Sequence, residues 1–200
     1  MKNKKIIKLI IGSNNPGKIK EIKDLLPNNI KICTPKQLNI SSPKEIGRTF
    51  KQNSILKARF FSKKSKMVSI ADDSGLEIKL LGGSPGIYSA RWGGKKNNFN
   101  LAIKKVYNKL NLVDPNWQKK IVNAKFVCAL TIYWTNKKYV TSLGIKEGRI
   151  SKIKKGKNGF GYDPIFIPNN SKLTFAQMDP KKKFKIDHRA KAFKNIRKYF

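Results

Sequence analysis

The first 33 residues switch from a strand pattern to a helix pattern and back again. An apolar run over residues 5–11 has the length of a buried strand and leads into a polar loop over 12–17. Apolar residues at helical spacing follow over 18–26, and Pro27-Asn28-Asn29 separates them from a second short strand over 30–33. A strand, loop, helix and strand in this order are typical of an α/β fold.

The rest of the chain is predicted to contain further helices and to be rich in strands in its second half. Helices are predicted over residues 49–61, 98–110 and 189–199. Strands are predicted over 67–71, 76–81, 123–133, 139–145 and 165–167, and residues 148–153 could continue the sheet. The strand over 67–71 is expected to stop at Asp72. We therefore expect a single domain, residues 1–200, with a mixed, twisted sheet flanked by helices and room for a cleft between two lobes.

Composition argues against a membrane protein, a disulfide scaffold and a zinc protein. Of the 200 residues, 39% are hydrophobic, which is enough for a sizeable core, yet no stretch approaches the roughly eighteen apolar residues of a membrane span. The N-terminal apolar run is too short and too polar for a secretory signal. Cys33 and Cys128 lack metal-ligand spacing, and the chain has one histidine. We expect a cytoplasmic protein.

The net charge of +34 raises the question of a nucleic-acid partner. Only six of the 45 basic residues are arginines, whereas nucleic-acid surfaces use arginine generously because its planar fork pairs with phosphates and stacks on bases. The lysines are scattered among asparagines and isoleucines, as mutational drift in an A/T-rich genome would produce. We therefore expect a solvated lysine surface, with weak polyanion binding and no specific nucleic-acid partner.

The eleven acidic residues are more informative, because several lie in short glycine-rich segments. Asp72 and Asp73 are adjacent at the expected end of a strand. Neighbouring residues of an extended chain point to opposite faces, so one carboxylate could face a site while the other anchors the turn. A carboxylate there, joined by Glu45 from a loop, offers the oxygen ligands that magnesium prefers. An Asx-type turn that ends the strand explains the same residues.

The loop Ser13-Asn14-Asn15-Pro16-Gly17-Lys18 joins the first strand to the first helix. Backbone amides at a helix N-terminus, a glycine and a lysine make an arrangement that can bind phosphate. The spacing differs from that of a Walker A loop. An ordinary connection between a strand and a helix explains the loop equally well.

Three further groups of residues could contact a ligand. Asn53 and Lys57 are four residues apart and share one face of a predicted helix, although a solvated pair is the plainer interpretation. The alternating glycines and aromatic residues of 159–164 could approach a flat ligand and stack on it, or form a tight turn with core aromatics. His188 and Arg189 could donate hydrogen bonds to carbonyl or phosphate oxygens, although a lone histidine is more often structural.

In this order the segments resemble the inosine triphosphate pyrophosphatase family of house-cleaning enzymes over nearly the whole chain. Each motif alone is suggestive, and all of them in register are specific. The motifs that carry the resemblance are residues 13–18, Gly47-Arg48-Thr49-Phe50 with Asn53 and Lys57, residues 71–76, 81–91 and 159–164, and Lys183 with His188-Arg189.

The resemblance implies an elongated α/β fold with a central nucleotide-binding cleft, a homodimer and a requirement for Mg²⁺. The reaction that it implies is hydrolysis of the α–β phosphoanhydride, which gives a nucleoside monophosphate and pyrophosphate. The implied substrates are ITP, dITP and XTP, the deaminated purine nucleotides that would otherwise enter DNA and RNA.

The family's functional positions carry over residue by residue. Asp73 matches the general base and metal-associated aspartate, Glu45 matches the metal-binding glutamate, and Asp72 is the supporting acid. The positions expected to hold the triphosphate are Ser13, Asn15, Lys18, Lys57 and Ser74, with Asn14, Pro16, Gly17 and Asn53 also expected to contact the substrate. The positions that match the aromatic substrate-binding segment and the end that reads the base are Phe160, Gly161, Tyr162, Asp163, Lys183, His188 and Arg189.

Base recognition follows from one oxygen atom. Hypoxanthine and xanthine carry a 6-oxo acceptor where adenine carries an amino donor. Donors from His188 and Arg189 could recognise that oxygen, and adenine would leave them unpaired at a large cost. Guanine shares the oxygen, so its rejection depends on the space around its 2-amino group.

The chain departs from the family pattern at four positions, one of which is Ser54, where alanine is usual. Gln52 stands where glutamate is usual, which removes a carboxylate that could assist metal or dimer contacts. Asp187 stands where serine is common, and Asn14 stands where glycine is frequent.

Two other functions are also compatible with the sequence. One is a related nucleotide pyrophosphatase that prefers another base, such as a modified pyrimidine. The other is a lysine-rich nucleic-acid-binding protein, which would explain the charge and nothing else.

Overall fold

The computed structural model describes residues 5–94 and 98–200, and these residues form the predicted mixed α/β fold. The strands among them are β1 (Lys8–Ile11), β2 (Lys31–Cys33), β3 (Ser69–Ile78), β4 (Asn123–Tyr133), β5 (Tyr139–Ile150) and β6 (Phe166–Pro168). The α-helices are α1 (Pro16–Leu25), α2 (Phe50–Ser65), α3 (Phe99–Val113), α4 (Pro180–Ile186) and α5 (His188–Ile196).

The six strands form one sheet in the order β2-β1-β3-β4-β5-β6. β1 runs parallel to both of its neighbours, with Leu9 opposite Ile32 on β2 and Ile10 opposite Ser69 on β3. β6 runs antiparallel to β5. Since both kinds of pairing occur, the sheet is mixed, as the sequence predicted. The connection through α1 is the βαβ unit expected between parallel strands.

The chain divides into two compact units. The first unit contains the described part of Met1–Asp73, together with Cys128–Gly144 and Arg189–Phe200. The second unit contains Ser74–Val127, apart from residues 95–97, and Ile145–His188. The prediction of one domain over residues 1–200 stays a prediction.

Each unit has a hydrophobic core of its own. Leu9 and Ile11 of β1 pack with Ile22 of α1 and Leu130 of β4 in the first unit, and all four are fully buried. The core of the second unit is aromatic. Its fully or almost fully buried members include Trp117, Phe166 and Phe175, with Phe126 packed against both phenylalanine rings.

Side-chain caps fix where the first two helices begin. The Asn15 side chain accepts a hydrogen bond from the backbone N–H of Lys18 at 3.1 Å, and Pro16 takes the first helical position, where a missing N–H costs nothing. Thr49 caps α2 by accepting from the N–H of Gln52, whose own side chain accepts from the N–H of Arg48 at 2.7 Å. This reciprocal pair is a close variant of the capping box.

The structure corrects the prediction that a strand stops at Asp72. Residues 72–75 lie inside β3, which runs unbroken from Ser69 to Ile78, and residues 79–81 form a short 3₁₀ turn where a second strand was predicted. Aspartate, serine and glycine favour turns locally. β3 is an interior strand between β1 and β4, however, and its pairing and burial override that preference.

The remaining differences are smaller. β5 includes residues 148–150, so the sheet does continue there. α2 extends four residues beyond its predicted end, and α4 was not predicted at all. The final helix begins at His188 and gives way to a 3₁₀ turn after Ile196. Among the helices that the structure describes, none has the length and hydropathy needed to cross a bilayer.

Candidate active site

β3 places the two adjacent aspartates in different surroundings. Both are buried, with exposures of 0% for Asp72 and 4% for Asp73. Because successive side chains of a strand point to opposite faces, their carboxylates diverge, as the sequence predicted. Asp72 contacts Lys18 and Arg189, whereas Asp73 contacts Asn53 and Lys57.

Helix α2 supplies the partners of Asp73. Asn53 Nδ2 donates to Asp73 Oδ2 at 3.0 Å, and Lys57 Nζ donates to Asp73 Oδ1 at 3.2 Å. Asn53 and Lys57 are one helical turn apart, so they share the face of α2 that meets β3, and both are buried. The predicted common face is therefore confirmed, and a solvated pair is ruled out.

Glu45 joins this cluster through Lys57. Its Oε1 accepts from Lys57 Nζ at 2.5 Å, so that one ammonium group bridges the carboxylates of Glu45 and Asp73. Glu45 precedes α2 in a loop that is held to the helix, since the Asn53 side chain also accepts from the N–H of Gly47 at 2.8 Å. The sequence singled out all four members of this cluster.

The charges of the cluster shift the pKa values of its members. Burial raises the pKa of Asp73 above its ordinary value, and the nearby charge of Glu45 adds to that rise against the opposing pull of Lys57. Burial alone would lower the pKa of Lys57, but the negative charges of Asp73, Asp72 and Glu45 outweigh it and raise that pKa to about 12. Lys57 therefore stays a cation, and Asp73 has a more basic carboxylate than an exposed aspartate.

The donor set at Glu45 and Asp73 fits a magnesium ion. Their oxygens already converge on one cationic group, the Lys57 ammonium. Within residues 5–94 and 98–200, no group of three or more histidine, cysteine or acidic side chains is placed to hold a metal. Magnesium does not need one, because it is usually bound by one or two carboxylates, water and the phosphates of a substrate.

Asp72 lies in a second charged cluster of the first unit. Its Oδ2 is 3.3 Å from Lys18 Nζ and 3.0 Å from a terminal nitrogen of Arg189. Burial alone would raise the pKa of Asp72, but the charges of Lys18 and Arg189 outweigh it and hold the pKa of that carboxyl far below its usual range. Asp72 is therefore an anion at any physiological pH. Glu21 of α1 also pairs with Arg189.

The predicted phosphate-binding loop is fixed by its own polar side chains. Ser13 Oγ accepts from the N–H of Asn15 at 3.2 Å, and Asn14 Nδ2 donates to Ser42 Oγ at 2.9 Å. Just before the loop, Gly12 lies so close to α2 that a Cβ atom there would be 2.6 Å from the Phe61 ring. Pro16, Gly17 and Lys18 form the first turn of α1, and Ser74 lies half-buried on β3, where the second unit begins.

The predicted aromatic segment, residues 159–164, lies in the second unit and is held by contacts of Asp163. Asp163 Oδ2 accepts from the N–H of Phe160 at 2.9 Å and from Lys183 Nζ at 2.7 Å, and both charged side chains are buried. Gly159 and Gly161 take φ angles of +73° and +69°, which only glycine adopts readily. The alternation of glycine and aromatic residues thus forms a tight turn around a buried ion pair.

The other aromatic and imidazole groups of the second unit are held by packing. The Tyr162 hydroxyl donates to the carbonyl of Ser89 at 2.7 Å. The His188 ring stacks on Phe126 with a centroid distance of 4.7 Å and an interplanar angle of 11°. Lys183 Nζ lies 5.5 Å from the ring centres of both Phe160 and Phe175. Nothing in the sequence marked Phe126 or Phe175 as neighbours of predicted site residues.

The departures from the family pattern have local roles. Gln52 caps α2, as described above, and does not contact Glu45 or Asp73 through any hydrogen bond in the described structure. Asp187 is buried and directly precedes the first turn of α5, where a carboxylate is favourable. Glu21 is the member of the charged clusters that sequence analysis missed, because its partner lies 168 residues away.

Comparison with known proteins gives the family. A model of the Ham1 family matches residues 9–199. The chain belongs to the Ham1 family. It is 40% identical over 190 residues to the dITP/XTP pyrophosphatase of Caulobacter vibrioides, a match that covers 95% of this chain and 96% of that protein. It is 39% identical over 191 residues to the dITP/XTP pyrophosphatase of Bacillus subtilis, covering 94% of each.

Solved structures of Ham1 proteins have the same fold. The HAM1 protein from Coxiella burnetii matches with a TM-score of 0.84 and 34% identity over 96% of both chains. The Ham1 protein of Staphylococcus aureus matches with a TM-score of 0.82 and 35% identity, covering 96% of this chain and 97% of that one. The resemblance found in the sequence and the mixed α/β fold are both confirmed.

Proposed function

We propose that this Ham1-family protein hydrolyses deaminated purine nucleoside triphosphates, namely ITP, dITP and XTP, to the nucleoside monophosphate and pyrophosphate. Its role would be to keep these nucleotides out of DNA and RNA. The observation that carries the proposal is the buried Asp73 carboxylate, held between Asn53 and Lys57 with Glu45 beside it. The names of the relatives from Caulobacter vibrioides and Bacillus subtilis support the same reaction.

Asp73 acts as the general base. Its oxygens accept one hydrogen bond each from Asn53 and Lys57, and a carboxylate has further lone pairs that can accept from a water molecule. The water oxygen bonds to the α-phosphorus, its proton passes to Asp73, the bond from the α-phosphorus to the bridging oxygen breaks, and pyrophosphate leaves. A pKa raised by burial suits Asp73 to take that proton.

Glu45 and Asp73 are the residues that would hold Mg²⁺. A bound magnesium ion supplies positive charge that offsets the charge developing on the phosphate oxygens. Lys57 holds these two carboxylates in place. When the substrate binds, the Lys57 ammonium could contact a phosphate oxygen instead. Asp72, which precedes Asp73 on β3, is the supporting acid, and it keeps Lys18 in place.

The triphosphate is bound by the loop and by lysines of the first unit. Lys18 and Lys57 supply charge, and Ser13 and Asn15 supply short polar side chains beside the first turn of α1. An anion near that turn is favoured by the helix dipole. The remaining positions proposed to contact the substrate are Asn14, Pro16, Gly17, Asn53 and Ser74.

The base is recognised by the aromatic segment and by the positions around His188. Phe160, Gly161 and Tyr162 offer a ring and an open backbone, while Asp163 and Lys183 fix the turn that presents them. His188, kept flat on Phe126, is the proposed donor to the 6-oxo group of hypoxanthine or xanthine. Arg189 is the second proposed donor to that oxygen. We also propose that the protein is a homodimer, as the family resemblance implies. Light scattering tests this, because a dimer has the mass of two chains.

The test is a hydrolysis panel with Mg²⁺ in which pyrophosphate and orthophosphate are assayed separately. ITP, dITP and XTP are compared with ATP, GTP, CTP, UTP and modified pyrimidine triphosphates. Pyrophosphate release confined to the first three is the expected result. Orthophosphate release, or equal rates with all bases, would overturn the proposal, and a preference for modified pyrimidines would move the protein to a related pyrophosphatase activity.

A further inference from the structure

Ser89 is a buried serine of the second unit, and its side chain is hydrogen-bonded on two sides. Its Oγ accepts a hydrogen bond from the backbone N–H of Leu76 on β3 at 2.9 Å. The same Oγ donates to the carbonyl of Gly86 at 2.6 Å, within the turn that leads to Ser89. These two bonds tie the backbone of Ser89 both to an interior strand and to its own turn, so its carbonyl has a fixed direction.

The carbonyl of Ser89 is the acceptor for the Tyr162 hydroxyl, at 2.7 Å. Tyr162 is 2% exposed, and a buried hydroxyl without a partner is costly. A phenol has one proton to donate, and this bond uses it. The Tyr162 hydroxyl is therefore committed to Ser89, and what Tyr162 can offer a ligand is the place in which it holds its neighbours.

The turn over residues 159–164 depends on such side-chain anchors. Gly159 and Gly161, on either side of Phe160, have a backbone that can adopt many conformations. One anchor is Asp163, which accepts from the N–H of Phe160 at 2.9 Å. The other is Tyr162, fixed by Ser89 at its hydroxyl and by the Phe99 ring, which packs edge-on at a centroid distance of 5.6 Å. The half-buried Phe160 ring thus has its position set from both sides.

We propose that Ser89 is a positioning residue for base binding, which acts through Tyr162 to hold the Phe160 ring where a base stacks on it. The inference rests on the proposed function in one respect, which is that the base binds at residues 159–164. Ser89 itself contacts no part of the substrate. Because the triphosphate is proposed to bind residues of the first unit, the loss of Ser89 should weaken binding of the base and spare the phosphate end.

The variants are Ser89→Ala, Ser89→Cys, Tyr162→Phe and the double variant Ser89→Ala/Tyr162→Phe. A second serine and tyrosine of the same unit provide matched controls, Ser151→Ala and Tyr107→Phe. The Tyr107 hydroxyl donates to the Ser151 carbonyl at 3.1 Å, and the buried Ser151 Oγ donates to the carbonyl of Ile153 at 2.7 Å. The controls therefore remove the same kinds of hydrogen bond at a place that does not hold Tyr162.

Three measurements separate the two ends of the substrate. Steady-state kinetics give kcat and KM for ITP and XTP. Inosine, which has no phosphate, gives an inhibition constant that reports on the base end alone. Inorganic tripolyphosphate, which has no base, gives an inhibition constant that reports on the phosphate end alone when Mg²⁺ is in excess.

We expect Ser89→Ala to raise KM for both nucleotides and the inhibition constant of inosine by the same factor, about fivefold, as the loss of one hydrogen bond would. The kcat value and the tripolyphosphate constant should stay at their wild-type values. Tyr162→Phe should do the same, and the double variant should fall short of the product of the single effects, because Ser89 acts through Tyr162. Ser151→Ala and Tyr107→Phe should match the wild type in every constant.

Ser89→Cys tests the same bonds without emptying the space, and it replaces Ser89→Ala if that variant does not fold. A thiol is a weaker donor and acceptor than a hydroxyl, so the inosine constant should rise by a smaller factor. A wild-type inosine constant in the folded serine variant would overturn the inference.

Three further outcomes would also overturn it. If Ser89 is merely structural, kcat falls with the folded fraction while KM and the inosine constant hold. If the Tyr162 hydroxyl contacts the base directly, Tyr162→Phe raises the inosine constant and Ser89→Ala does not. If the inosine and tripolyphosphate constants rise together, Ser89 does not act on the base end.

The proposed function and this inference fail separately. Wild-type protein that releases no pyrophosphate from ITP contradicts the function, whatever the variants do. Direct binding of inosine and uridine, measured by calorimetry on the wild type and Ser89→Ala, then still tests the positioning of Phe160, because either base would stack on its ring. Equal nucleoside affinities in the two proteins, or a wild type that binds neither nucleoside, would overturn the inference even if hydrolysis of ITP is as proposed.

Discussion

The carboxylates of Asp72 and Asp73, on consecutive residues of β3, contact different lysines: Asp72 Oδ2 lies 3.3 Å from Lys18 Nζ, and Asp73 Oδ1 lies 3.2 Å from Lys57 Nζ. The separation follows from the alternation of side chains along a strand. The two acids therefore have pKa values that are shifted in opposite directions, downward for Asp72 and upward for Asp73. One acid is fitted to hold charge in place and the other to accept a proton.

Replacing Asp73 by asparagine should remove the base while preserving the shape of the site. We expect kcat for ITP to fall by about 10²–10⁴, the usual contribution of a positioned base, with little change in nucleotide affinity. Pyrophosphate release and equilibrium nucleotide binding measure the two effects. Glu77→Gln is the control, because Glu77 lies on the same strand but pairs with Lys125 at 3.1 Å. Near-full turnover in Asp73→Asn would show that another group is the base.

Lys183→Met should destabilise the second unit. The substitution leaves the buried carboxylate of Asp163 without its lysine, and breaking a buried ion pair costs about 3–5 kcal/mol. Urea unfolding measures the change in the free energy of unfolding. Lys182→Met, at an exposed position of the same helix, should change it by less than about 0.5 kcal/mol. Equal losses in the two variants would contradict a stabilising role for the pair.

Tyr162→Phe should give a pH-dependent loss of stability. Removing the hydroxyl that donates to Ser89 should cost about 1 kcal/mol near neutral pH. Burial raises the pKa of Tyr162 above its ordinary value of 10.0, so the unfolded chain releases this proton first as pH rises. The stabilisation is therefore complete below that pH and declines above it.

The measurement for Tyr162 is chemical unfolding of wild type and variant at neutral and alkaline pH. The gap in free energy of unfolding between them should narrow above pH 10, the ordinary tyrosine value. Tyr139→Phe provides the comparison, because Tyr139 is 53% exposed and should show neither effect. A gap that is constant with pH would mean that the Tyr162 phenol titrates alike in both states.

Gln52→Glu restores the residue usual in the family and should act on α2 rather than on catalysis. A glutamate keeps the acceptor for the N–H of Arg48 and adds negative charge in the first turn, worth about 0.3–1 kcal/mol. We expect a higher Tm with unchanged kcat and unchanged dependence on Mg²⁺ concentration. Gln52→Ala should lower the Tm instead, since it removes the acceptor. A shift in the Mg²⁺ dependence of Gln52→Glu would place this position near the metal.

Much of the fold and all four residues of the Asp73 cluster could be predicted from the sequence, because many of the signals are local. The strand, helix and strand at the start follow from apolar spacing and caps, and Asn53 and Lys57 are one helical turn apart. The break predicted at Asp72 was wrong because residues 72–75 favour a turn only until β1 and β4 flank them. The pairing of Glu21 with Arg189 has no local signal, since it depends on tertiary structure alone.

The first unit is assembled from three separate stretches of chain, and its last stretch begins at Arg189. During translation, Asp72 therefore leaves the ribosome well before Arg189, its guanidinium partner, is added to the chain 117 residues later. The emerging chain holds the Asp72 carboxylate without its guanidinium until Arg189 has left the exit tunnel. Chains that stop short of Arg189 would lack both this charge and the apolar residues of α5 that complete the core, which makes truncated translation products poor candidates for folding.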